Sequence, residues 1–153
     1  MKRIIAVAGL LTLGIAMNLG AVVAQENLVA KRQEAMKAAG KNRFGSLGQM
    51  ARDKKPYDQA EVDQALAHLA TFGKTITPLY PESTKGAPRS GDYSASDKIW
   101  TNKADFVSHI ANLDKAVAAH AGKIQSLETL KEAFPVMSKS CSGCHETYRI
   151  KNS

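Results

Sequence analysis

Cys141-Ser142-Gly143-Cys144-His145, close to the end of the chain, decides how the rest of the sequence is read. Two cysteines three apart on a helix face one way, so both sulfurs can reach the two vinyl groups of one porphyrin and form thioethers. His145 follows one turn beyond Cys141 and can bring an imidazole nitrogen to the iron. The stretch reads as an attachment site for one haem c, with Cys141 and Cys144 as covalent anchors and His145 as an iron ligand. Two other uses of the same letters fit less well. A zinc site usually wants four protein ligands, and no second cysteine pair or paired histidine cluster is present. A thioredoxin-like pair follows a strand and opens a helix, whereas this one lies late in a helical stretch. No third cysteine competes for a disulfide.

At the other end, Met1-Lys2-Arg3 is followed by an almost wholly apolar run from Ile4 to Ala16. A short basic head and an apolar run form a secretory signal peptide, expected over residues 1–24, with Val22 and Ala24 as the small residues before cleavage. A retained membrane anchor is the alternative, but Asn18 interrupts the run and it is short for a span. Export implies that haem is attached outside the cytoplasm, in the periplasm. Residues 25–153 are then enough for a single domain with one core. The formal charge of +7 falls by the two units carried by Lys2 and Arg3. A moderately basic surface suits an acidic partner protein or an anionic membrane face. Nucleic acid is not indicated, because no Lys/Arg run is interleaved with aromatics.

Helical periodicity divides residues 25–153 into four stretches. The first is expected over about 26–53, with Leu28, Arg32, Met36, Gly40, Phe44 and Leu47 on one stripe, and Lys54-Lys55-Pro56 ends it. Asp58 reads as an N-cap with Glu61 three residues on, and Val62, Leu66, Leu69, Phe72 or Gly73, Ile76 and Leu79 form the second stripe. Residues 81–97 are rich in Pro, Gly, Ser and Thr and form the one long connection. A third helix begins near Ser96 or Asp97, steps along Ile99, Lys103, Phe106, Ile110, Leu113 and Val117, and closes at Gly122. The fourth is expected from about Ser126 to Lys151, with Leu127, Leu130, Phe134, Met137, Cys141, Cys144 and Tyr148 on its seam and a kink at Pro135. Four amphipathic helices with two short links and one long link specify an all-α, up-down-up-down antiparallel four-helix bundle carrying the covalently bound haem.

This topology brings the N-terminal half of helix one to the haem end of helix four. Met36 can then face His145 across a porphyrin as the second, thioether ligand. Met50 lies roughly 21 Å further along the axis at the α-helical rise, at the far end of the bundle. Met137 shares a helix with His145 and falls on the wrong side of the ring. The plainer alternative for Met36 is soft core filling over the haem. Arg32, one turn earlier, is an unusual charge to aim inward, and contact with a haem propionate would explain it; a solvated edge is the alternative. His68, His109 and His120 read as flank or surface residues away from the iron. Trp100 and Tyr80 flank the long connection and either cover the ring or serve as core.

With these residues in view, the chain resembles the cytochrome c-prime family, the class II c-type cytochromes, over essentially all of residues 25–153. The resemblance rests on Arg32-Gln33-x-x-Met36, the Pro-Tyr-Asp run at 56–58, Lys98-Ile99-Trp100, and Cys141-Ser142-Gly143-Cys144-His145-Glu146-x-Tyr148-Arg149. It is nearer to the low-spin cytochrome c-556 branch, through Pro56-Tyr57-Asp58-Gln59-Ala60, Leu79-Tyr80-Pro81-Glu82-Ser83 and Lys98-Ile99-Trp100. The resemblance implies Cys141 and Cys144 as the attachments, His145 as proximal and Met36 as distal ligand. It also implies a one-electron carrier rather than an enzyme. Some members of the high-spin branch, with five-coordinate iron that binds nitric oxide or carbon monoxide, also carry methionine at the position of Met36, so that branch stays open as the alternative. Lys31, Lys37, Lys98, Lys103, Lys139 and Lys151 fall near the haem end and are expected to steer an acidic redox partner protein. Helix one could serve a homodimer interface or stay exposed.

Overall fold

A computed structural model describes the backbone of residues 11–153 and the side chains from residue 23 onward. The expected signal peptide, residues 1–24, therefore lies partly outside the described residues. Helix α1 (Leu11–Lys37) runs without interruption into a π-helical segment, Ala38–Phe44, and then into α2 (Gly45–Ala51). Together these make the first rod of the bundle. In the wide turn the Gly45 N–H bonds the Gly40 carbonyl, five residues back. The extra residue shifts the phase of the helix. Ala39 is buried and Gly40 is exposed, so the stripe expected through Gly40 is displaced by one position, while Leu47 beyond it is fully buried. Asp53, at φ 56°, ends the rod in the left-handed region.

Helix α3 (Gln59–Ile76) starts where the cap requires it, the Asp58 side chain accepting from the Glu61 N–H at 3.0 Å. The Glu61 carboxylate turns to Lys55 and Ser46 instead of closing a capping box. Val62, Leu66, Leu69, Phe72 and Ile76 are buried along one face. After the long connection the third rod is two pieces, α4 (Lys98–Thr101) and α5 (Lys103–His120), broken at Asn102 where φ is −133°. Ile99 and Trp100 are buried within the short piece, and the Trp100 indole donates to the Pro81 carbonyl at 2.9 Å.

The fourth rod, α6 (Leu127–Tyr148), opens on a capping box between Ser126 and Thr129 and continues through Pro135, which is exposed. It ends at Tyr148 rather than at 151. Residues Arg149–Lys151 form strand β2, paired antiparallel with β1 (Tyr93–Ala95) from the long connection. The apolar seam of α6 stops at Tyr148, so residues beyond it have no core face to keep them helical, and the loop offers a free edge. Packing follows chain order around the bundle: α3 lies against the first rod, α5 against α3, α6 against α5, and α2 against α6. The expected four-helix, up-down-up-down bundle is the fold, with Phe106, Leu47, Leu69, Leu130 and Met137 among its fully buried side chains.

Candidate haem site

On α6, Cys141 and Cys144 are half-buried against the core and form no disulfide with each other. Burial pushes the Cys141 thiol up, and burial, the Cys141 thiol and Asp105 together push Cys144 up to about 11. His145 is also half-buried, and burial, with Arg149 nearby, holds its imidazole below the usual range. A neutral imidazole is the form that binds a metal.

The first rod contributes Arg32, which is 6% exposed, and Met36, half-buried against the core one turn later. Arg32 Nη1 donates to Thr84 Oγ1 at 3.3 Å, and its guanidinium carbon lies 5.0 Å from the Tyr80 ring centroid and 5.8 Å from that of Trp100. Among the described residues no carboxylate pairs with it. Burial lowers its pKa, and Tyr80 only partly offsets this. An inward-facing guanidinium without an acid is costly unless something anionic meets it. The edge position considered above is thus replaced by a buried one.

A series of tilted and edge-on aromatics runs from Tyr80 through α4 and α5 to α6. Tyr80 lies 6.3 Å from Trp100 and 5.0 Å from Phe106; Phe106 lies 5.3 Å from Tyr148, and Tyr148 lies 5.7 Å from His109. Burial, with a further push from Cys144, raises the Tyr80 phenol to about 12 against the opposing charge of Arg32. Tyr80 and Trp100 are therefore core residues, packed beside Arg32. Lys103 packs against the same series: it is half-buried, its Nζ donates to the Tyr80 carbonyl at 2.8 Å, and it lies 5.4 Å from the Phe106 centroid. It is a structural cation, not part of a free docking ring.

One cluster is not foreshadowed by the periodicity. Tyr148 donates to Asp105, and His109 Nε2 stands 3.6 Å from the same carboxylate. His109 also comes close to Gly143 of the Cys-x-x-Cys-His turn, so it sits beside the attachment helix rather than away from it. The i, i+4 spacing of Asp105 and His109 was the available signal. His68 and His120 lie at the flanks, the latter with Nδ1 2.8 Å from the Ala116 carbonyl. Met137 is fully buried within α6, and Met50, also fully buried, accepts the Asp58 N–H at the other end. Neither accompanies Met36.

A family profile described as Cytochrome C' matches residues 27–149. The chain belongs to the cytochrome c-prime family. It is 43% identical to a cytochrome c-556 of Rhodopseudomonas palustris over 99% of both chains. It is 33% identical to a cytochrome c' of the same organism, over 99% of this chain and 98% of that one. An NMR-validated structural model of oxidised R. palustris cytochrome c556 superposes with a TM-score of 0.74 at 42% identity, over 84% of this chain and 99% of that one. Membership of the family brings one covalently attached haem c. The residues fit such a group: two thiols and an imidazole within five positions, and a buried cation with no anion beside it among the described residues. Among the described residues no helix is long and apolar enough to cross a membrane.

Proposed function

We propose that the protein is a periplasmic one-electron carrier, exported by a signal peptide at residues 1–24. Cys141 and Cys144 hold haem c through thioethers, His145 and Met36 are the two axial ligands, and Arg32 meets a propionate. The observation that carries this reading is the pairing on α1 of a buried Arg32, to which the described residues offer no acid, with a half-buried Met36 one turn later. A porphyrin carboxylate is the anion that such a guanidinium calls for. With a carboxylate there, Met36, one turn later on the same helix face, would be the soft side chain offered to the iron.

The bound haem supplies the one-electron ferric/ferrous couple. The protein's part is to keep that couple simple. The Met36 thioether and a neutral His145 imidazole are uncharged in both oxidation states, so no proton need move with the electron. The wall of Trp100, Tyr80, Phe106 and Tyr148 keeps water from one side of the site, which lowers the reorganisation that electron transfer demands. Exposed Lys98, Lys139 and Lys151 suit an acidic redox partner.

The visible spectrum of the exported holoprotein tests the reading: oxidised, reduced, and reduced under carbon monoxide. The expected result is a low-spin spectrum that carbon monoxide leaves largely unchanged and that becomes high-spin in Met36→Ala. The full-length likeness to a cytochrome c' supports a second reading, a five-coordinate iron that binds nitric oxide or carbon monoxide. A high-spin spectrum that shifts at once with carbon monoxide would establish that reading and reduce Met36 to packing.

A further inference from the structure

Gln33 stands three residues before Met36, and its side-chain amide leaves the helix. Gln33 Nε2 donates to the Ser90 carbonyl at 2.8 Å, to Ser90 Oγ at 3.1 Å and to the Tyr93 carbonyl at 3.3 Å. From the opposite side, Asn152 Nδ2 donates to the Gly91 carbonyl at 2.7 Å, to Ser94 Oγ at 3.0 Å and to the Ser90 carbonyl at 3.2 Å. The Ser90 oxygen therefore accepts from both helix one and the residue that follows the C-terminal strand. Around this junction the Asn152 N–H bonds the Asp92 carbonyl and the Ser96 N–H bonds the Tyr148 carbonyl, each at 3.0 Å. Between them Tyr93, Ser94 and Ala95 pair with Lys151, Ile150 and Arg149, and the Arg149 guanidinium lies 4.2 Å from the Tyr93 centroid. Gly91, between Ser90 and Asp92, sits at φ 65°, the left-handed conformation that glycine adopts freely.

The positions of these bonds matter more than their number. The principal neighbours of α1 are α3 and the turns at Thr77–Leu79 and Glu82–Thr84, whereas most of the contact of the first rod with α6 is made by α2. At the haem end, then, the helix bearing Met36 and the helix bearing His145 are joined through a loop. That loop is bonded three residues before Met36 and, on the other side, to the strand that begins four residues after His145. A bond from iron to thioether sulfur depends on the separation of those two helices to a fraction of an ångström.

We infer that residues 90–96 are a positioning strap, in which Gln33 and Asn152, sharing the Ser90 carbonyl, hold the Met36 turn at the spacing required for sixth-ligand binding. This rests on the reading of Met36 as the distal ligand. Loosening the strap raises the fraction of iron with the methionine off, and an external ligand then binds with an apparent affinity that rises with that fraction. Gln33 and Asn152 touch neither haem nor iron; they act through α1.

The test uses the exported holoprotein and four substitutions. Gln33→Glu and Asn152→Asp keep side-chain size and remove the donors; Lys131→Met removes the ion pair to Asp53 at the far end as a stability control; Met36→Ala removes the ligand. Carbon monoxide affinity of the reduced protein, the low-spin fraction and amide exchange in residues 90–96 are measured alongside thermal stability. Gln33→Glu and Asn152→Asp are each expected to raise carbon monoxide affinity roughly five- to tenfold, the change that losing about one net hydrogen bond implies. The double variant is expected to fall short of the product, because both donors use one acceptor. Lys131→Met is expected to lower stability without moving the affinity. A low-spin wild type in which both strap variants stay within twofold of its affinity, while Met36→Ala frees the iron, would overturn the strap and leave the ligand reading intact. A high-spin wild type on which Met36→Ala has no effect would overturn both.

Discussion

The guanidinium of Arg32 rests 5.0 Å from the centroid of Tyr80, buried between helix α1 and the long connection, with a threonine hydroxyl as its only hydrogen-bond partner among the described residues. Aromatic faces soften the burial of a cation but do not neutralise it. If a propionate completes the site, Arg32 favours the reduced iron, the state with less positive charge. Arg32→Leu should then lower the midpoint potential by roughly 20–60 mV, on the order of 1 kcal/mol for a one-electron couple. Arg32→Lys should give a smaller shift, since the charge is kept and the planar stacking lost. A redox titration in which Arg32→Leu leaves the potential unmoved would remove the propionate contact from the reading.

Helix α3 and helix α5 meet where Gly73 faces Asp114. A methyl group at Gly73 would sit 2.6 Å from Asp114 Oδ1 and closer still to Oδ2, and Oδ1 is buried without a partner. Gly73→Ala should gain about 1 kcal/mol of helix propensity yet lose about 1–3 kcal/mol to the clash. Asp114→Ala should be neutral or stabilising, and the double variant should recover the loss, with a coupling of about 1–3 kcal/mol. Chemical denaturation of the four proteins of this cycle measures it. Additive single effects would show that Asp114 swings clear.

The four rods were legible because each places an apolar residue every third or fourth position and the caps at Asp58 and Ser126 announce themselves. The attachment turn was legible because Cys-x-x-Cys-His is chemically restrictive. What escaped depends on phase or on distant partners. A single widened turn at Ala38–Phe44 moved Gly40 off the stripe, and periodicity cannot see an inserted residue among three small ones. Strand β2 exists only because residues 93–95 lie beside it, and no property of Arg149-Ile150-Lys151 alone foretells that. The contacts of His109 and Lys103 escape for the same reason: their partners, Tyr148 and the Tyr80 carbonyl, come from other elements.

Acid should loosen the far end of the bundle first. Glu61 accepts from Lys55 and Ser46, and these bonds, Lys55 first, hold its carboxyl below the ordinary value of 4.5. A folded-state pKa depressed in this way contributes stability that is present above 4.5 and is lost as the pH falls through the lower, folded value. Glu61→Gln should therefore be less stable than the parent at neutral pH and show a flatter decline in acid. Melting temperatures from neutral pH down to acid decide it. Parallel curves would mean that the Lys55 pair is too screened to matter.

The lysines near the haem end divide into two kinds. Lys98, Lys139 and Lys151 are exposed, while Lys103 is half-buried with its ammonium on the Tyr80 carbonyl. Burial lowers the Lys103 pKa, and Glu82 only partly restores it. Lys98→Glu and Lys151→Glu should each slow reduction by an acidic electron donor about two- to fivefold at low salt and flatten the dependence on ionic strength. Lys103→Gln should leave that rate alone and cost about 1–3 kcal/mol of stability, because the buried Tyr80 carbonyl loses its donor. Stopped-flow rates across a salt series, paired with denaturation, separate the two kinds. A parent protein whose rate ignores salt would show that this basic surface steers nothing.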